Sequence, residues 1–277
     1  VGQLPSFLII GAPKCATTSL FRYLDTHPDV FMAPAKELRF FDARFDRGVD
    51  WYAAQFAGAS GERAAGEATP MYLADPNAGS RIAEILPDAK LIAVLRHPVE
   101  RAYSQYWHRK LRSGEERSFG ELVDDELNPH GVDESRPFSH IIDIGRYARH
   151  LQRFATYVDR GELQLFSFED LRDEPVATFA SVCRFLGVDD THVPPNLGQT
   201  YNRPHRVRSR RVREAMLRRK LPTRAPRLAR WLDGLLRDEQ EYPPMDPGAR
   251  AVLLDTYRDD NARLAALWKR DLSDWDE

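Results

Sequence analysis

The stretch "FLIIGAPKCATTSL" (7–20) joins an apolar run of strand length to a run with helical spacing through the turn "GAPKCA". A strand that feeds a helix through such a turn leaves the first-turn N–H groups and the positive end of the helix dipole free for an anion. Lys14 adds a point charge, and Thr17, Thr18 and Ser19 add hydroxyl donors. Yet the pattern is not that of a nucleotide triphosphatase loop, G-x-x-x-x-G-K-[ST]. Lys14 precedes Thr17 by three residues, and Ala16 stands where a glycine would be expected. The alternative is a helix capped by Thr17 beside a solvated lysine.

Two further apolar runs follow the same plan. "KLIAVLRH" (90–97) leads into "PVERAYSQYWHRKL", with Pro98 suited to a first helical turn, and "GELQLFSF" (161–168) leads into "EPVATFASVCRFLG". Continuous apolar strands, each feeding a helix, predict an α/β fold with a central parallel sheet covered on both faces. The first helix is expected over 17–27. The 277 residues read as one domain, 1–277, in which the Arg- and Pro-rich segment 194–230 is a candidate basic flap.

Composition narrows the classes. Hydrophobic residues make up 42%, charged residues 30%, and the net charge is -2, so whole-chain charge gives no argument for nucleic acid. No apolar run has the length of a membrane span. Cys15 and Cys183 form no C-x-x-C pattern and lead us to expect a reducing, cytoplasmic setting. The histidines lack metal-ligand spacing, so no metal is expected. Cys15, at a helix start, is either an oxidisable thiol or an inert packed one.

The second strand supplies the discriminating signal. A magnesium-dependent triphosphatase carries an Asp at the end of a neighbouring strand, whereas "LIAVL" ends in Arg96. A guanidinium there suits a phosphate. Ser104, about two turns into the next helix, faces the same region if that helix is regular. Separately, Arg96 reads as an exposed arginine and Ser104 as a filler; beside the first loop they read as a second anion grip.

"FLIIGAPKCATTSL" followed by "LIAVLRHPVERAYSQY" closely resembles the two donor motifs of sulfotransferases, which use 3′-phosphoadenosine 5′-phosphosulfate (PAPS). The resemblance implies that Lys14, Cys15, Ala16, Thr17, Thr18 and Ser19 form the loop for the 5′-phosphosulfate, and that Arg96 and Ser104 hold the 3′-phosphate. Lys14 and backbone dipoles would then stand in place of a magnesium ion, and 3′,5′-adenosine bisphosphate would be the product.

Two more stretches, "KELRFFD" (36–42) and "GEATPMYL" (66–73), resemble segments of the heparan sulfate and related carbohydrate sulfotransferases. That branch implies Glu37 as the base, with Arg39, Glu67 and Tyr72 on the acceptor side, and a glycan, glycolipid or glycosylated metabolite as acceptor. Glu37 also reads as a surface carboxylate paired with Lys36 or Arg39. The sequence departs from the branch at Ala68, where a lysine is usual, at Arg39, where a histidine is frequent, and at Cys15-Ala16, where glycines are usual. A methyl group at Ala16 leads to the expectation of negative φ there. Phe168 takes the place of an adenine-contacting tyrosine and reads equally as a core aromatic. Arg206 and Arg208, in "YNRPHRVRSRR" (201–211), fall where the family places a basic loop over the 3′-phosphate. The rival readings are a kinase-like phosphotransferase and a non-catalytic nucleotide-binding module, and His97 and His108 are the rival bases.

Overall fold

The computed structural model describes residues 3–113, 115–128, 140–199, 201, 205–207, 237–239 and 242–277. Five parallel strands form the central sheet in the order β2-β3-β1-β4-β5: β1 Phe7–Gly11, β2 Val30–Met32, β3 Ala64–Ala68, β4 Lys90–Leu95 and β5 Leu163–Ser167. The three strands expected from apolar runs are β1, β4 and β5. Both β1 and nearly all of β4 are buried, as strands covered on both faces must be.

β2 and β3 were not legible as strands. β3 reads AAGEA, without β-branched or large apolar side chains, because it makes room for its neighbour. Phe7 of β1 lies in register with Gly66, and a Cβ on Gly66 would come within 2.4 Å of the Phe7 ring.

The helices that matter for the site are α1 (Thr17–Leu24), α2 (Phe40–Ala43), α3 (Gly48–Ala54), α4 (Ala78–Ile85), α5 (Pro98–Ser113), α6 (Phe119–Leu127), α7 (Tyr147–Leu151), α8 (Ala155–Asp159), α9 (Phe168–Asp173), α10 (Pro175–Leu186) and α11 (Pro247–Trp268). α1 stops at Leu24, with Asp25 as its C-cap, rather than running to residue 27. α10 ends where expected, with Gly187 in the left-handed conformation at φ 78°. α11 packs across α7, α6 and α5, and its buried Asp260 accepts hydrogen bonds from the N–H groups of Ala148 and Arg149. The C-terminal helix thereby caps α7, satisfying first-turn donors that have no partner within the short helix itself.

The chain leaves β1 toward β2 on one side of the sheet and leaves β4 toward β5 on the other. Parallel α/β sheets open a crevice at the carboxyl ends of the strands at such a reversal. The loop after β1 and the turn after β4 flank it. Of the expected basic flap, residues 194–199, 201 and 205–207 are described. Residues 205–207 form β6 (His205–Val207), which pairs antiparallel with β7 (Arg237–Glu239). Arg206 is a strand residue there, opposite Asp238 in the register. Arg208 and the rest of the flap lie outside the described residues.

Candidate active site

The crevice is a cleft of about 500 Å³. On its first wall, Lys14, Ala16, Thr17, Thr18 and Ser19 come from the β1–α1 turn. Lys14 has φ 70° and Ala16 φ 59°, so the expectation of negative φ at Ala16 is wrong. Left-handed residues within a turn are the geometry from which backbone N–H nests for anions are built. Ala16 is the N-cap of α1 and brings no capping side chain, while Thr17 is the first helical residue. The reading of Thr17 as the cap is therefore set aside. Ser19 Oγ accepts the N–H of Tyr201 at 3.5 Å, and Tyr201 itself lines the cleft.

Cys15 belongs to the turn by sequence, but its side chain is fully buried and points away from the cleft. Its Sγ lies 3.8 Å from Tyr147 Oη, and burial pushes its thiol up to about 11. That is the inert, packed alternative. Tyr147 Oη in turn donates to the Arg96 carbonyl at 2.9 Å. One tyrosine of α7 thus touches both the first turn and the residue after β4, and Asp260 fixes its helix from behind.

On the second wall Arg96 lies 4.6 Å over the ring of Phe168, within 4.0 Å of Glu100. An arginine stacked on an aromatic face keeps its planar fork oriented. Phe168 packs against the core and also lines the cleft. Ser104 is buried and is within hydrogen-bonding reach of Tyr242, which stacks on Trp107 at 5.6 Å. Gln105 and His108, on the same helix, also line the cleft. His97 is not among the lining residues. It is buried, its Nδ1 accepts the Val99 N–H at 3.3 Å, and burial lowers its pKa.

The third wall comes from the turn 36–39 and from Pro70 and Met71. Lys36 Nζ donates to Glu37 Oε1 at 2.8 Å, and the Glu37 N–H donates to the Ala68 carbonyl at the end of β3. Arg39 reaches Asp42 Oδ2 through both Nε, 2.9 Å, and a terminal nitrogen, 2.8 Å. Among the described residues lining the cleft, Glu37 is the only carboxylate, set among Lys14, Lys36, Arg39 and Arg96.

Two expected acceptor-side residues are not there. Glu67 and Tyr72 are fully buried and do not line the cleft. Glu67 Oε1 accepts from Tyr72 Oη at 2.6 Å and Tyr52 Oη at 3.4 Å, and its Oε2 accepts from Thr69 Oγ1 at 2.7 Å. Sequence reading had also missed Lys36, Met71, Tyr201 and Tyr242. Lys36 lay beside Glu37 in a motif already noticed; Tyr242 carried no local signal at all.

No group of three or more His, Cys, Asp or Glu side chains is arranged for a metal among the described residues. Nor is any helix among them long and apolar enough to cross a membrane.

A parallel sheet with a cationic, hydroxyl-rich turn after its central strand and a stacked arginine after the next defines a class of anion-handling α/β proteins. Within that class the chain belongs to the sulfotransferase domain family, which it matches over residues 4–203. It is 30% identical to the mouse bifunctional heparan sulfate N-deacetylase/N-sulfotransferase 3, over 97% of this chain and 30% of that protein. It is 32% identical to the mouse heparan sulfate glucosamine 3-O-sulfotransferase 6, over 78% of this chain and 68% of that protein. The crystal structure of a sulfotransferase from Alicyclobacillus acidocaldarius matches with a TM-score of 0.75 and 30% identity, over the whole of both chains. The chain spans about 30% of the length of the N-deacetylase/N-sulfotransferases it matches.

Proposed function

We propose that this protein moves a sulfonate group from PAPS to a hydroxyl of a glycan or glycosylated acceptor. The observation that carries the reading is the single cleft in which a cationic turn, a stacked arginine and one carboxylate meet. The residues present suit such a donor. Lys14, Thr17, Thr18, Ser19 and the first-turn N–H groups of α1 would hold the 5′-phosphosulfate. Arg96 and Ser104 would hold the 3′-phosphate, and Phe168 offers a ring face to adenine.

In the reaction the acceptor oxygen attacks sulfur, its proton passes to Glu37, and the bond from sulfur to the bridging phosphate oxygen breaks. The leaving 3′,5′-adenosine bisphosphate gains negative charge at that oxygen, where Lys14 and backbone N–H groups stabilise it. The 30–32% identical relatives, named for heparan sulfate, support a carbohydrate acceptor. Membership of the sulfotransferase family weighs against the kinase-like phosphotransferase.

The test is incubation with PAPS and a panel of oligosaccharides that includes unsulfated heparan-type chains. Release of 3′,5′-adenosine bisphosphate together with a sulfated product supports the proposal. Donor binding without product on any glycan would overturn the acceptor class, and no donor binding would overturn the whole reading.

A further inference from the structure

Behind the cleft, the turn that carries Glu37 is held from within the core. Glu37 has φ 63° and Arg39 φ 55°, and non-glycine residues keep such a conformation where their surroundings over-determine it. Two relays run from this turn to one carboxylate. The Arg39 N–H donates to Thr69 Oγ1 at 3.1 Å, and that hydroxyl donates to Glu67 Oε2 at 2.7 Å. The Phe40 N–H donates to Tyr72 Oη at 2.9 Å, and that hydroxyl donates to Glu67 Oε1 at 2.6 Å. Every bond points inward, toward an acceptor at the centre.

We infer that Glu67, in its ionised form, is the positioning residue that sets the Glu37 turn through Thr69 and Tyr72. An ionised carboxylate accepts only, which suits the two relay hydroxyls and that of Tyr52, all three of which donate to it. Once protonated, it presents an O–H to a hydroxyl that had been donating to it, so that hydroxyl must turn its own proton elsewhere and its relay to the backbone N–H is rearranged. Burial pushes Glu67 up to about 7, against the hydrogen bonds from Tyr72 and Thr69, with Asp42 adding to the rise and the Leu38 N–H opposing it. The groups facing it are Tyr52 from α3, Tyr72 from the turn after β3, and Asp42 from α2, itself paired with Arg39. A change of proton therefore falls within the range where most enzymes work.

The catalytic meaning rests on Glu37 as base, but the test reads the turn itself and needs no turnover. With selective ¹⁵N labels, the Arg39 and Phe40 amides of the wild-type protein should titrate with a midpoint near 7, and Glu67→Gln should abolish that midpoint. Thr69→Val should speed hydrogen exchange at Arg39 by about tenfold or more while sparing Phe40; Tyr72→Phe should do the reverse. Binding of 3′,5′-adenosine bisphosphate should survive in both relay variants. Amides that do not titrate in the wild type overturn the inference. So does faster exchange spread evenly over β3 and α1 in either relay variant, which marks Glu67 and its hydroxyls as ordinary core. Should Glu67→Gln not fold, the relay variants still decide the matter.

Discussion

On the proposed function the cleft has a donor wall and an acceptor wall, and the two are built on different principles. The donor wall hangs on the two central strands: the turn after β1 and Arg96 after β4 follow buried strands, and Tyr147 touches both. The acceptor wall hangs on a short turn with two left-handed residues, pinned by a buried carboxylate through two hydroxyls. One wall takes its shape from the sheet; the other takes it from a polar network inside the core. Such networks specify a geometry only when every member is satisfied. The donor wall should therefore tolerate changes of pH that the acceptor wall does not.

The largest effect that separates the walls lies at Glu37. Glu37→Gln keeps shape but cannot accept a proton, and a general base contributes a factor of about 10²–10⁴. Turnover should fall by that order with donor affinity nearly unchanged, measured by product release beside calorimetry. Wild-type turnover in the variant would make His108, which lines the same cleft, the next base to replace.

On the donor wall, Lys14→Met should lower turnover by roughly 10²–10³, because the charge that Lys14 meets grows as the bond to sulfur breaks. Nucleotide affinity should fall by less. A variant that binds poorly but turns over normally once saturated would assign Lys14 to ground-state binding and blur the division between the walls.

A smaller effect is expected in stability. Glu67 binds its proton more tightly in the fold than in the unfolded chain, its value rising from 4.5 to about 7. Between those values unfolding releases a proton, so this contribution to stability is fully present below the lower value and is lost as pH rises through the upper one. Urea midpoints measured from about pH 5 to about pH 8 should show that decline in the wild type. The decline should be shallower in Glu67→Gln; equal slopes would break the assignment.

How much of this was legible in sequence follows from the same contrast. The strand–turn–helix units at β1 and β4 were legible because a strand, a tight turn and a helix need particular residues next to one another. β3 did not, since its small residues record the bulk of Phe7 on another strand. Glu67 and Tyr72 were misplaced on the acceptor surface because the burial of a carboxylate depends on hydroxyls converging from separate elements. Ala16 was misjudged for a related reason: the tight turn between β1 and α1 holds a left-handed residue there even without glycine. Tyr242 reaches the cleft from far along the chain by stacking on Trp107, and no local pattern marks it.

The most direct test of the central claim is calorimetry of 3′,5′-adenosine bisphosphate against AMP, without magnesium. Arg96, held over Phe168, and Ser104 should add a charged hydrogen-bonded contact to the 3′-phosphate worth roughly 1.5–3 kcal/mol. The bisphosphate should then bind about tenfold to a hundredfold more tightly, with the advantage lost in Arg96→Ala. Equal affinities for the two nucleotides in the wild-type protein would contradict the account.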